Sequence, residues 1–442
     1  MRMLRRPWLW VLALAAILLI AAVACDDEEE KAETPTGETP AAEETPAGEV
    51  TPGPGVTDTE IKLGHTNDLA GTGGTPYGII TVALNAYLSK VNDEDGGVCG
   101  RDVTLIAEDD QYAPGPALEK TRKLVEQDEV LAIVGALGTA AHLGAVDYLN
   151  DPNGDGDTSD GIPDLFVSTG FTGWANVEMW PWTFGYIPDY DSDGQILATY
   201  INDNFPGQKV GILYQNDPFG EDYLNSIKNN LADASLLVSE QTYEPGAPDL
   251  SSQIINIQSD GAKVVVLGAV PTASALAIVS ANAQNYDAQW LVSYVNAHTS
   301  LASLIGGGTE LEQLGQGFAL LDGTISNNYQ LDAVGNADDP AMVEHARIMD
   351  AYGGPGLSTL SVYGQSLAEL TVEALSGACD NLTREGLLQS VESIQGFSPS
   401  VFLPGIAVSF SSTDHRAIET LQPTRIEADG TLTAVGDLVS LE

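Results

Sequence analysis

Residues 135–150 read GALGTAAHLGAVDYLN, and residues 162–174, beyond the acidic insert DPNGDGDTSDG, read IPDLFVSTGFTGW. Two apolar runs, LAIVG at 131–135 and DLFVS at 164–168, carry buried-strand signals, and each leads directly into a small, hydroxyl-rich turn. Gly138-Thr139-Ala140-Ala141 opens a helical pattern, so unpaired N–H groups and the Thr139 hydroxyl lie beyond the strand's carboxyl end. Ser168-Thr169-Gly170-Phe171-Thr172 follows the second strand in the same manner. Ligands of open α/β sheets occupy that crevice. The two turns together make a cradle for a carboxylate or another polar head group. The alternative is that Gly and Thr only cap helices.

Outward from this stretch the pattern alternates. Strands are predicted at IKLGHT, VTLIAED, LAIVG, DLFVS, KVGILYQ, KVVVLGA and QWLVSY, with helices at 77–92, 115–128, 139–150, 194–204, 219–233, 249–259 and 272–285. Such alternation argues for parallel sheets flanked by helices. The rhythm breaks in YIPDYDSDG and again at 322–336; helical patterns return at 341–352, 359–377 and 383–394, and the tail from Gly405 is β-like. Two discontinuous lobes joined by three crossings account for this order.

The chain of 442 residues carries 17 basic and 63 acidic residues, a formal charge of −46. Nucleic acid would be repelled by such a surface. His65, His142, His298, His345 and His415 are scattered, with no HExxH spacing. A GxSxG elbow, a GxxxxGK[ST] loop and a GxGxxG turn between strand and helix are missing as well. Nothing asks for a catalytic residue or a cofactor.

Arg2, Arg5 and Arg6 precede an apolar run from Trp8 to Val23, which ends Ala21-Ala22-Val23-Ala24-Cys25. This resembles the lipobox of bacterial lipoproteins, with residues 1–24 as signal peptide and Cys25 as the lipidated residue. A lone transmembrane anchor is the alternative. Residues 26–56 hold ten acids, one Lys and repeated Thr-Pro pairs without an aromatic residue. Residues 25–56 therefore read as a lipidated, extended tether.

Five segments in order carry a more specific resemblance: LGHTNDLAGTGGTPYG, GGVCGRDVTLIAEDD, ALEKTRKLVEQDEVLAIVGALGT, KVGILYQNDPFGEDYLNSIKNNL and PDLSSQIINIQSDGAKVVVLGA. Together the chain resembles the type I periplasmic binding proteins of ABC transporters, in their branched-chain-amino-acid-binding branch. The resemblance implies an α/β fold of two Rossmann-like lobes with a three-stranded hinge: 57–188 plus 322–397, and 189–321 plus 398–442. It implies a monomeric, extracytoplasmic, non-enzymatic receptor that closes on a small molecule and delivers it to the transmembrane subunits of an ABC permease. A sensing receptor of the same fold and an α/β enzyme are the rival readings.

Carried over by position, Thr139, with Ala140 beside it, falls where a hydroxyl meets the ligand's carboxylate. Gly170, Phe171 and Thr172 fall on the second contact turn, and Tyr77 on an aromatic wall, although an ordinary core aromatic reads the same way. Tyr190 and Tyr294 stand where amino-acid binders place acids for the ammonium. Burying an unpaired ammonium is costly, so the ligand is expected to be a carboxylate with a flat or apolar body, such as an aromatic acid, ahead of a branched-chain amino acid. Trp174 is a further wall residue. Cys99 and Cys379 should share one lobe, either bridged or as buried thiols.

Asp151, Asn153, Asp155, Asp157 and Asp160 have the spacing of the first half of a calcium loop, but Ile162 stands where the closing Glu belongs. A structural calcium ion and a solvated acidic turn are the two readings. Asp189-Tyr-Asp191-Ser-Asp193-Gly194 repeats the spacing, with Tyr200 in the closing place.

Overall fold

Runs such as Val264–Gly268, buried along their whole length, need cover on both faces, and parallel strands between helices provide it. The computed structural model describes residues 51–71 and 73–441. The signal peptide, Cys25 and the tether as far as residue 50 lie outside the described residues. Among those described, no helix is long and apolar enough to cross a membrane.

The first sheet is built from β1 (Glu60–Asn67), β2 (Asp102–Asp109), β3 (Ala132–Val134), β4 (Asp164–Val167) and β5 (Thr183–Gly185). Its order is β2-β1-β3-β4-β5, all parallel, with Leu63 level with Leu105 on one side and Ala132 on the other. The second sheet takes β6 (Val210–Gln215), β7 (Leu237–Tyr243), β8 (Val264–Gly268), β9 (Gln289–Val292), β10 (Ile325–Asn328), β11 (Thr420–Ile426), β12 (Leu432–Ala434) and β13 (Val439–Ser440). Its order is β12-β11-β10-β9-β8-β6-β7, with β13 against β11. The strands from β6 to β10 run parallel, and β11 returns antiparallel to β10.

The chain crosses between lobes three times, but two crossings lie later than the sequence reading placed them. Because β10 pairs with β9, the second lobe runs to residue 328 rather than 321. Residues 398–418 stay with the first lobe. Phe410 packs on Phe166 and Phe184 at 5.8 and 5.5 Å, and the Gly185 N–H donates to the His415 carbonyl at 3.0 Å. The apolar run GIAVSF suggested a strand of the second lobe, yet it makes only an isolated bridge, Phe397 with Val408. The tether also ends earlier than 56: the Gly53 N–H donates to the Leu382 carbonyl at 2.7 Å, and Val56 bridges to Ile61.

The helix Thr359–Gly377 starts at a capping box of Ser358 and Ser361 and is the buried axle of the first lobe. It meets the helix Gly78–Glu94 through Gly364, where a Cβ would lie 2.6 Å from that of Ala83. Cys99 and Cys379 form a disulfide between the loop beyond one helix and the end of the other. The predicted helix 139–150 is two short ones, Thr139–Leu143 and Val146–Asn150.

Candidate functional site

Residues following the strand ends of both sheets wall one cavity of about 70 Å³. Tyr112 arrives after β2, Gly138 after β3 and Ser168 after β4; Phe219 arrives after β6, Val270 after β8 and Tyr294 after β9. This is the crevice that the topology makes available for a ligand. The crossing segments contribute Tyr190 and Asn327 to Gln330, and the axle helix contributes Tyr363.

Local chemistry fixes each wall. Gln111 and Tyr112 both adopt left-handed backbone, with φ of 55° and 56°, and the Asp110 carboxylate holds that turn by accepting the Tyr112 N–H at 2.8 Å. Non-glycine residues enter that region at a cost, and they concentrate at binding sites. Asp189 caps the helix Tyr190–Asn204 by accepting from the Ser192 N–H at 2.7 Å. The Tyr190 N–H donates to Gly170 at 2.8 Å, and its hydroxyl donates to Thr169 at 3.3 Å. Tyr294 donates to the Pro188 carbonyl, and Tyr363 to Ser168 at 2.6 Å.

The cavity wall is neutral. No Asp, Glu, Lys, Arg or His lines it among the described residues. Burial pushes the Tyr190 phenol up to about 12, and those of Tyr77, Tyr112 and Tyr294 are also raised by burial. Asp193 lies fully buried behind the wall. It accepts from Asn327 Nδ2 at 2.6 Å and from Tyr223, and burial pushes it up to about 6.

The lobes grip each other around this space. Tyr77 of the first lobe donates to the Val295 carbonyl of the second at 3.2 Å, and Gln215 Nε2 donates to Tyr112 Oη at 3.5 Å. The Thr172 N–H donates to Asp222 at 3.0 Å and its hydroxyl at 3.2 Å. His298 pairs with Asp332 at 3.0 Å, and the Thr359 N–H donates to Thr299 at 3.0 Å.

Residues 60–431 match the family model described as periplasmic binding protein. The chain belongs to that family. It is a family of binding proteins, not enzymes, and its place is outside the cytoplasm. The chain is similar to Leu/Ile/Val-binding protein homolog 2 of Brucella abortus, 25% identical over 314 residues that cover 70% of this chain and 76% of the relative. Its fold is shared with a branched chain amino acid ABC transporter from Thermus thermophilus with bound valine: TM-score 0.73, 17% identity, 87% of this chain and 98% of that one. A fatty acid ABC transporter substrate-binding protein from Thermomonospora curvata superposes with a TM-score of 0.72 at 24% identity, covering 89% and 95%.

Family membership fits the two-lobed α/β architecture, and the site residues expected from the sequence divide into two groups. Tyr77, Tyr190 and Tyr294 line the cavity. Gly138 lines it too, and Thr139 and Ala140 follow as the first residues of a helix. The Thr139 hydroxyl lies buried against Thr169 at 2.5 Å. Gly170, Phe171, Thr172 and Trp174 instead border a neighbouring cleft of about 290 Å³ that Asp189 and Arg416 also line. Gly170 backs the site from outside, since a Cβ there would come within 2.2 Å of the Pro188 carbonyl and 2.8 Å of the Tyr294 hydroxyl. Thr172 is a clasp between lobes, because Asp222 takes both of its donors.

Tyr112, Phe219, Tyr329 and Tyr363 were not foreseen. Phe219 sits in the Asp217-Pro218-Phe219-Gly220 turn, which was visible as an aromatic-Gly turn, and the Asp217 cap on Gly220 aims it. Tyr329 and Tyr363 come from segments distant in sequence, with no local signal.

In residues 151–160 the acids brace their own loop. Asp151 accepts the N–H groups of Gly154, Asp155 and Gly156; Asp155 accepts that of Asp157, and Asp157 that of Ser159. Asn153 donates to Asp160 at 2.8 Å. The oxygens face their own loop, and among the described residues no three His, Cys, Asp or Glu could hold a metal ion.

Proposed function

We propose that the protein is an extracytoplasmic, lipid-anchored solute receptor. It captures a small carboxylate-bearing molecule with an aromatic or apolar body between its lobes and delivers it to an ABC permease. The observation that carries this reading is the neutral aromatic cavity walled by both lobes. A zwitterionic amino acid would bring an ammonium to a wall without an acid, at a large desolvation cost. For the carboxylate the reading rests on the sequence resemblance at Thr139; of that turn Gly138 lines the cavity, next to the start of the short helix Thr139–Leu143. Contacts made to both lobes at once favour the closed arrangement, which is the form a permease would recognise. The anchoring part of the reading rests on the lipobox-like run ending at Cys25. A homologue's name, Leu/Ile/Val-binding protein, makes leucine the comparison to run.

A thermal-shift panel of benzoate, the hydroxybenzoates, leucine, isoleucine and valine tests the reading. Ligands that bind only the folded form must raise Tm. Aromatic acids are expected to stabilise and leucine to leave Tm unchanged. Strong stabilisation by leucine alone would overturn the assigned ligand class.

A further inference from the structure

Four of the tyrosines on the cavity wall already donate to the protein itself: Tyr77 to Val295, Tyr190 to Thr169, Tyr294 to Pro188 and Tyr363 to Ser168. Their O–H groups are therefore committed. The opposite imbalance appears on β10 and the segment that leaves it. Asn327 and Gln330 line the cavity and are each only 4% exposed. Asn327 uses its amide nitrogen on Asp193 at 2.6 Å, and Gln330 uses its own on the Thr359 carbonyl at 2.9 Å. Those bonds fix which way each amide faces. Asn327 Oδ1 and Gln330 Oε1 are left buried with no donor among the described residues. A buried acceptor without a donor costs about 1–3 kcal/mol, and such groups in folded proteins call for a specific explanation. An ammonium would be a poor answer, because no carboxylate lines the wall.

We propose that Asn327 and Gln330 form a donor-reading subsite, and that the ligand carries an uncharged hydroxyl or N–H group on its body. This rests on the carboxylate reading above for the ligand's other end. Substituted acids with one neutral donor, such as hydroxy- or amino-aromatic acids, belong to the class; their methyl and methoxy counterparts do not.

Calorimetric titration of the full chain tests this with matched probes: the three hydroxybenzoates and aminobenzoates against the corresponding methyl- and methoxybenzoates, plus methylphenols against methylanisoles as acid-free pairs. The best donor-bearing acid is expected to bind about tenfold tighter than its methyl isostere. Gln330→Met should collapse that ratio toward one. The wild-type series decides the matter even if that variant folds poorly. Methyl or methoxy acids that bind as tightly as the donor-bearing ones would overturn the subsite and leave the carboxylate reading standing. A donor preference seen only in the acid-free pairs would support the subsite and overturn the carboxylate. Failure of every probe to bind would overturn both.

Discussion

Two stretches of this chain place Asp or Asn at every second residue up to a Gly, and the fold uses them in opposite ways. In residues 151–160 the acids turn inward on their own backbone, and Gly154 and Gly156 serve left-handed turns with φ of 72° and 86°. In residues 189–194 the same spacing starts a helix. Asp189 caps it, Asp193 is buried against Tyr223 and Asn327, and Gly194 lets the helix approach Ser226, whose Cβ would lie 2.7 Å from an added one. An acidic repeat is thus only an inventory of oxygens. What the oxygens do depends on which donors the tertiary structure brings to them.

The largest expected effect separates the two stretches most sharply. Asp193→Ala leaves the Tyr223 hydroxyl and the Asn327 amide without their acceptor, and should cost about 3 kcal/mol in chemical denaturation. It should also loosen the Asn327 wall of the cavity. A loss no greater than that of a surface substitution would mean that Asp193 does not hold the wall.

A smaller effect comes from pH. Burial raises Asp193 and Asp222 to about 6 and Asp110 to about 7. Each of these carboxyls binds its proton more tightly folded than unfolded. Their stabilising contribution is complete below the unfolded value and is lost as pH rises through 6 to 7. Lowering the pH from about 7 to about 5 should therefore raise Tm by about 2 °C or more. The relief of repulsion in a chain of charge −46 works in the same direction. Asp193→Asn should shrink the rise, whereas Asp157→Asn should leave it intact. A Tm that falls over this range would refute the assignment.

The smallest effect belongs to the exposed loop. Asp157→Ala is expected to move Tm by no more than about 1 °C, and added calcium should not move it at all. A calcium-dependent rise abolished by Asp155→Ala would decide for the cation reading over the solvated turn.

The same contrast explains what was legible in the sequence. Val264–Gly268 and Ala132–Val134 are continuous buried runs, so their strands could be read directly. Leu237–Tyr243 is an edge strand with a mixed burial pattern and Thr183–Gly185 is three residues long, and neither carried enough apolar periodicity to register. Lobe boundaries were misplaced because β10, reading ISNN, owes its place to pairing with β9 and β11 rather than to composition. In the site, Tyr77, Tyr190 and Tyr294 came through the resemblance, but Asn327, Gln330 and Tyr363 reach the cavity only because two crossings and a helix converge there. No local pattern encodes that convergence.

Closure of the two lobes over a ligand is the central claim. It is tested most directly by small-angle scattering of the full chain, free and saturated with the acid that raises Tm most. The radius of gyration should fall on saturation as the contacts of Tyr77 with Val295 and Thr172 with Asp222 become fully populated. An unchanged curve at proven saturation would contradict the account.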